Sequence, residues 1–494
     1  MNETKTDNKK WWILLTVIIG TFLGRLDQTI VNLALPKIIN DFGITVSAAG
    51  WIATAYILAN AVFVPIWGKL GDTIGRKKVY ILGFTIFIFG SVLAGLSWNL
   101  SSMIVFRIIQ AVAGSADYPT AMAILAVTFP SGKERAQALG IWSASFAAAA
   151  VFGPLLGGPL IDHFGWRSVF LVNLPVGIVG LLMALAFVKE SVSEKKSIKF
   201  DWWGAITLGG ALSGLVLVLD QGADWGWLSM DSLLCYGLIV VFSLIFARIE
   251  VTHPEPIVDF KFFKISAFVN TLLNNFIIFM GMMGSMFLIP IFAQTFLGFD
   301  ATQTGYLFIP MAAALMVGAP IGGALTGKVK PQYVIAASTF VAAIGVYFFS
   351  FLDPRSTAID IIIPLSIMAF GMGFGMAQRT SVIASLVPES EIGVASSVLA
   401  LIRNIAGAFG IAIFSTILNS FIKSNILSIA SQSIIKVTSP AVYQQAASLI
   451  ILRAQVSAYN SVFLICSGLI MLGAVLAFFI HVTEEKVGVE ILME

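Results

Sequence analysis

Charge is what this 494-residue sequence has least of: Asp, Glu, Lys and Arg make up 11% of it, against 58% hydrophobic residues. Soluble domains carry about 25% charged residues. A chain this poor in charge cannot cover a water-facing surface, and lipid is the solvent that suits it. Cysteine is scarce too. Cys235 and Cys466 each lie inside an apolar run, so no disulfide framework and no metal-ligand spacing exists. The three histidines, His163, His253 and His481, fall in loops or helix ends and form no catalytic or metal cluster. The net charge of +3 is too small to argue for nucleic acid. The polar start, Met1 to Lys10, is followed by an apolar run without a small-residue cleavage site, which reads as a retained first helix and not a signal peptide.

What is present is a series of apolar runs long enough to cross a bilayer, which takes about 20 residues. They lie near 12–35, 47–67, 79–97, 102–125, 137–160, 167–188, 203–220, 232–249, 267–292, 303–326, 331–350, 358–384, 393–420 and 457–481. Connections are short, and the longest polar stretch is 422–455. With the N-terminus in the cytoplasm, eighteen Lys and Arg fall in inner loops and six in outer ones, as the positive-inside rule asks. Both termini are therefore expected inside a multi-pass cell-membrane protein. The acidic loop around Glu389 and Glu391 breaks the trend. A weak internal repeat sets Gly50-Trp51 on Gly305-Tyr306, and Pro65, Ile66, Gly68 and Leu70 on Pro320, Ile321, Gly323 and Leu325. It equates the second helix with the tenth. The expected fold is all-α and polytopic: a six-helix bundle over 1–190, a cytoplasmic linker and inserted helix pair over 191–265, and a second six-helix bundle over 266–494.

The connection after the second run reads Gly68-Lys69-Leu70-Gly71-Asp72-Thr73-Ile74-Gly75-Arg76-Lys77-Lys78. Its glycines allow a tight turn, and Asp72 can pair with Arg76 or sit at a helix N-terminus. This resembles the signature loop of the major facilitator superfamily. Arg107-Ile108-Ile109-Gln110 with Gly114 resembles that superfamily's second motif, with Ala111 where glycine is usual. Gly153-Pro154-Leu155-Leu156-Gly157-Gly158-Pro159 resembles its antiporter motif. Leu26-Asp27-Gln28-Thr29-Ile30-Val31-Asn32-Leu33-Ala34-Leu35-Pro36 is similar to the first-helix motif of the fourteen-span drug:proton antiporter family. That likeness continues through Trp166-Arg167, Asn173-Leu174-Pro175, Asp201-Trp202-Trp203-Gly204 and Arg403-Asn404-Ile405-Ala406-Gly407. Arg25 and Asp117 depart from the pattern.

A charged side chain at mid-membrane costs about 2.5–3.5 kcal/mol on insertion scales, so it faces a cavity or a partner. The embedded acids are Asp27 and Asp117; the embedded bases are Arg25, Arg107, Arg379 and Arg403. Arg25 and Asp27 are two residues apart, roughly 200° around a helix, so only one of them looks toward the fourth helix. An Arg25–Asp117 pair would let each departure neutralise the other. Arg379 reads as snorkelling to the cytoplasmic edge. Phe87, Phe89, Trp142, Phe146, Phe276, Phe279, Met280 and Met283 would suit apolar cations, although with 39 Phe in the chain most must face lipid or fill helix contacts.

The resemblance implies a secondary transporter with alternating access and no enzymatic activity. Asp27 and Asp117 would exchange protons. Arg25, Asp27, Arg107, Gln110, Asp117, Trp142 and Phe146 would line the substrate cavity. Gly68, Asp72, Gly75 and Arg76 would form a gating loop that closes near Glu391–Gly393. Gly153, Pro154, Gly157 and Gly158 would carry the antiporter motif, with Arg403 and Asn404 in the second bundle either in the cavity or bracing it. The expected cargo is an amphipathic or cationic small molecule exported against protons by a lipid-embedded monomer. One specific metabolite (a lipid, siderophore or amino-acid derivative) is the alternative, and a non-transporting membrane sensor the third. Gly322–Val329 nearly spells a phosphate-binding loop, but it lacks the closing Ser or Thr and follows an apolar helix. No cofactor or metal is expected, so an ion gradient must supply the energy.

Overall fold

Three prolines set the pattern of broken helices. Pro119, Pro175 and Pro310 each stand third in a helix that follows a short interruption. A proline ring clashes with the carbonyl four residues back and donates no hydrogen bond, so the chain bends just before it. The fourth crossing is thus split into α4 (Leu100–Gly114) and α5 (Asp117–Thr128). The sixth is split into α7 (Ser168–Leu171) and α8 (Asn173–Phe187), and the tenth into α12 (Ala301–Tyr306) and α13 (Phe308–Gly323).

The remaining crossings are α1 (Glu3–Phe42), α2 (Val46–Ile74), α3 (Arg76–Gly95), α6 (Lys133–Phe164), α9 (Trp202–Trp225) and α10 (Met230–Thr252). After them come α11 (Ser266–Phe296), α14 (Pro331–Phe349), α15 (Ala358–Ser385), α16 (Ile392–Gln432) and α17 (Pro440–Ala477). This computed structural model describes residues 3–129, 133–191, 201–254, 256–326, 328–387, 392–432 and 440–481. Among the described residues, twelve segments are long and apolar enough on their own to cross a membrane. The split fourth crossing and α6 complete fourteen in chain order, so the repeat does place α2 opposite α12 and α13.

The helices begin where side chains can satisfy their free amides. Thr45 Oγ1 accepts from Ala48 N at 3.2 Å, Asp201 Oδ1 accepts from Gly204 N at 2.7 Å, and Asn99 and Ser102 form a reciprocal capping box. The chain folds as two six-helix bundles. In the first, α1 packs on α6 and α8, and α4 on α2 and α3; in the second, α15 packs on α13 and α14, and α11 and α17 on α16. The inserted pair, α9 against α10, lies beside α2 and α16, and the halves meet chiefly along α2–α16, α6–α12 and α1–α11.

Two expectations need correction. The described parts of 422–455 are helix, not loop: α16 continues to Gln432 and α17 starts at Pro440, and their polar residues lie on helices longer than a bilayer requires. The Gly68–Lys78 stretch is no loop either. Its first part is the end of α2, and the reversal happens at Gly75 alone, whose φ of 114° a side chain would rarely tolerate.

Candidate functional site

Asp27 sits midway along α1, fully buried. A carboxylate at that depth must be both paired and hydrogen-bonded. Arg107 Nη1 donates to Asp27 Oδ2 at 2.5 Å, while Gln110 Nε2 and Asn173 Nδ2 donate to Oδ1 at 2.9 and 3.1 Å. Arg107 also donates to Gln110 Oε1 at 2.7 Å and to the Ile52 carbonyl at 3.4 Å, and its guanidinium lies 4.0 Å over the Tyr56 ring. Asn173 donates in turn to Ser91 Oγ at 2.8 Å, and Ser91 to the Phe170 carbonyl. One carboxylate thus ties α1, α2, α3, α4 and α8 together. Of the pair Arg25 and Asp27, it is Asp27 that looks toward the fourth crossing. Arg25 Nη1 donates instead to Gln28 Oε1 at 3.2 Å.

Asp117 opens α5 directly after the proline bend. Its Oδ1 is buried with no hydrogen-bond partner. It lines a small cavity with Gly20, Gly24, Tyr80 and Gly83, and Thr21 and the charge of Arg25 act on it. Trp142 is buried and donates to Thr21 Oγ1 at 3.0 Å; Tyr118, its ring tilted against Trp142 at 5.3 Å between centroids, is the exposed ring of the two. The Phe146 side chain lies outside the described residues. Phe87 and Met280 are core residues and Phe89 is exposed, so these three belong to no common pocket.

The second bundle treats its charges differently. Arg379 is fully buried and does not reach the membrane edge as expected. It donates to Asn274 Oδ1 at 2.8 Å, Ser338 Oγ at 3.0 Å and Thr339 Oγ1 at 2.9 Å, a cage without a carboxylate. Snorkelling is unnecessary because three neutral acceptors meet it at depth. Arg403, half-buried, is held loosely: Nε to Asn275 Oδ1 at 3.4 Å, Nη2 to Thr380 Oγ1 at 3.5 Å, with Phe279 5.1 Å beneath it. Asn404 beside it is half-buried.

The antiporter motif lies at the seam between the halves. A Cβ on Gly158 would collide with the backbone of Ala301 and Thr302, and one on Gly305 with the Pro154 carbonyl. Asp162, one turn beyond the motif, accepts from Ala301 N at 3.2 Å, Thr302 N at 2.8 Å and Thr302 Oγ1 at 2.7 Å, and pairs with Lys37 at 3.2 Å. Gln294 donates to the Leu33 carbonyl nearby. The face opposite the one where α1 begins is therefore closed. Of the expected gating loop, Gly68 and Asp72 lie on α2 with side-chain surroundings that are not described; in the segment it would meet, Glu391 lies outside the described residues and the side-chain surroundings of Ile392 and Gly393 are not described either. Near it, Arg76 N donates to the Ser191 carbonyl, and the Glu190 carboxylate accepts from Lys77 N and Lys78 N.

Sequence reasoning gave no role to Asn173, Tyr118, Asn275 and Asp162. Asn274-Asn275 in an apolar run was the available signal, since an amide at that depth must find a partner.

Residues 17–411 match the family model described as Major Facilitator Superfamily. The chain is 33% identical over 423 residues to the multidrug transporter protein MdtP of Bacillus subtilis, covering 85% of this chain and 77% of that protein. It is 31% identical to the riboflavin transporter RibZ of Clostridioides difficile (83% and 88% covered), and 30% to a tetracenomycin C resistance and export protein of Streptomyces glaucescens (83% and 76%). A bacterial homologue of the human lysosomal transporter Spinster, solved in an inward-facing, occupied conformation, superposes with a TM-score of 0.68 at 17% identity, over 94% of this chain and 96% of that one. The chain belongs to the major facilitator superfamily, and it is a membrane transporter of that type.

Proposed function

We propose that this chain is a proton-coupled antiporter that exports amphipathic small molecules, lipophilic cations among them, by alternating access. The observation that carries the reading is the Asp27 cage. Protonating Asp27 removes the counter-charge of Arg107 deep in the first bundle. A buried guanidinium left unpaired costs several kcal/mol, so Arg107 must find new partners. Its present ones, the Ile52 carbonyl and the Tyr56 ring, belong to α2, which packs on α16 of the other half. The proton on Asp27 therefore biases the contact between the bundles, a coupling of two sites through one bistable element. Asp117, with a free carboxylate oxygen in its own cavity, is the second exchangeable position.

With both termini in the cytoplasm, the closed face at Asp162 and Thr302 is the outer one. Cargo then enters from the cytoplasm or the inner leaflet, the outer seam parts, and a proton returning from outside resets Asp27. The Gly68–Lys78 segment would latch the cytoplasmic side in the opposite state. Likeness to multidrug transporters supports breadth of cargo; likeness to a riboflavin transporter supports the alternative of one specific metabolite.

The test is cargo-driven proton flux in proteoliposomes with a panel of lipophilic cations, zwitterions and acids, for wild type, Asp27→Asn and Asp117→Asn. Proton release driven by several compounds and lost in Asp27→Asn is the expected result. Undiminished flux in Asp27→Asn would remove that residue from the coupling, and no flux with any compound on folded protein would overturn antiport of this class.

A further inference from the structure

From Ser266 to His481 the acidic residues are Asp300, Asp353, Asp360, Glu389 and Glu391, all at helix ends or between helices. The depth of the second bundle holds two guanidiniums, Arg379 and Arg403, near enough for each other's charge to be felt. Arg379 has three good acceptors. Arg403 has two long contacts and an aromatic face, and Tyr118 of the first bundle is within electrostatic reach of it. It therefore stands where the two halves face each other.

Asn275 adds an independent observation. It is fully buried, and its Oδ1 faces Arg403. A guanidinium only donates, so the amide must turn its oxygen to it. Nδ2 then points away, and this buried donor has no acceptor among the described residues. A strong cation, an orphaned N–H donor and an aromatic face at one place are what an anion on an aromatic body would complete. Along α11, positions 275, 279, 286 and 290 recur at intervals of four, seven and four and share one stripe. Met286 and Pro290, two and three turns or about 10 and about 16 Å beyond Phe279, line an apolar cavity with Phe308, and with Leu33 and Pro154 of the other half.

Resting on the transport reading above, we propose that Arg403 and Asn275 form an anion-recognising subsite, and that the cargo is an amphiphile with an acidic group, its apolar body directed along α11 toward Met286. The subsite adds acidic amphiphiles to the cations proposed above. Asp27 is already neutralised by Arg107, and Asp117 faces a small cavity within the first bundle.

Binding of three probes with one body, naphthylacetate, naphthylacetamide and naphthylmethyl-trimethylammonium, is measured by calorimetry on the purified full-length protein. Wild type should bind the carboxylate most tightly. Arg403→Gln should weaken the carboxylate on the order of tenfold or more and leave the amide unchanged, the scale of a hydrogen bond to a charged group. Arg403→Lys should keep part of the preference, and Asn275→Leu should lose part of it. Tightest binding of the ammonium probe, or equal weakening of all three in Arg403→Gln, would overturn the proposal and make Arg403 a brace. Cation-driven proton flux persisting in that case would leave the antiporter reading standing, whereas loss of all flux in wild type would remove the reading itself.

Discussion

The two bundles carry buried arginines in opposite ways. Arg107 is matched by a carboxylate, with two amides completing the pair. Arg379, equally buried, is met by one amide and two hydroxyls. A charge paired with a titratable group can be switched by a proton; a charge held by neutral dipoles cannot. The first half is therefore built to respond, and the second to hold a fixed positive field. On the reading proposed above, the first bundle would sense protons and the second would offer a constant surface to cargo.

The sharpest way to break the comparison is to remove each arginine. Arg107→Gln leaves Asp27 buried without its cation and should cost about 3–5 kcal/mol, read as a large fall in the unfolding midpoint in detergent. Adding Asp27→Asn to it should restore much of that stability while transport stays lost. Arg379→Met should cost less, about 1–3 kcal/mol, because it orphans only Asn274 Oδ1: the amide's nitrogen still bonds Thr339 and the Gly473 carbonyl, and both hydroxyls still bond the Ile335 carbonyl. Equal costs for the two would mean that the carboxylate makes no difference.

The seam between the bundles can be tested at Gly158. An alanine there meets backbone, which cannot rotate away as a side chain could. Overpacking of this kind costs about 1–3 kcal/mol, here charged to one state only, so Gly158→Ala should shift the population away from closure at Asp162 and Thr302. Spin labels at the exposed Trp98 and Ile359, on the same face but outside these contacts, should report longer distances than in wild type. An unchanged distribution would show that the Asp162 contacts hold the face shut alone.

The crossings were legible in the sequence because length and hydropathy decide them, and Asp27 and Arg107 because charge at depth must have a partner. Their partnership was not, since it depends on how two helices are rotated. The breaks at Ser115 and Val172 could have been found, since Pro119 and Pro175 stand four and three residues beyond the bends. Arg379 misled because a lone arginine in an apolar run implies a route to water, and only packing shows that Asn274, Ser338 and Thr339 converge on it. The closure at Asp162 was illegible for another reason: its partners, Ala301 and Thr302, contribute mainly backbone amides, which no residue type announces.

The smallest effect is expected at Asp117, and it bears on whether the first bundle responds at one position or two. Asp27→Asn would disturb three donors at once, whereas Asp117 Oδ1 has no donor to lose. Asp117→Asn puts at risk only the Thr21 contact and the pull of the Arg25 charge, and should change stability by about 0.5–1.5 kcal/mol although the residue is embedded. Its effect should fall on coupling instead: protons released per cargo molecule, counted with a lumenal pH dye against labelled cargo, should drop without vanishing. A ratio equal to that of wild type would confine proton exchange to Asp27. The contrast between the halves would then rest on one carboxylate and its arginine.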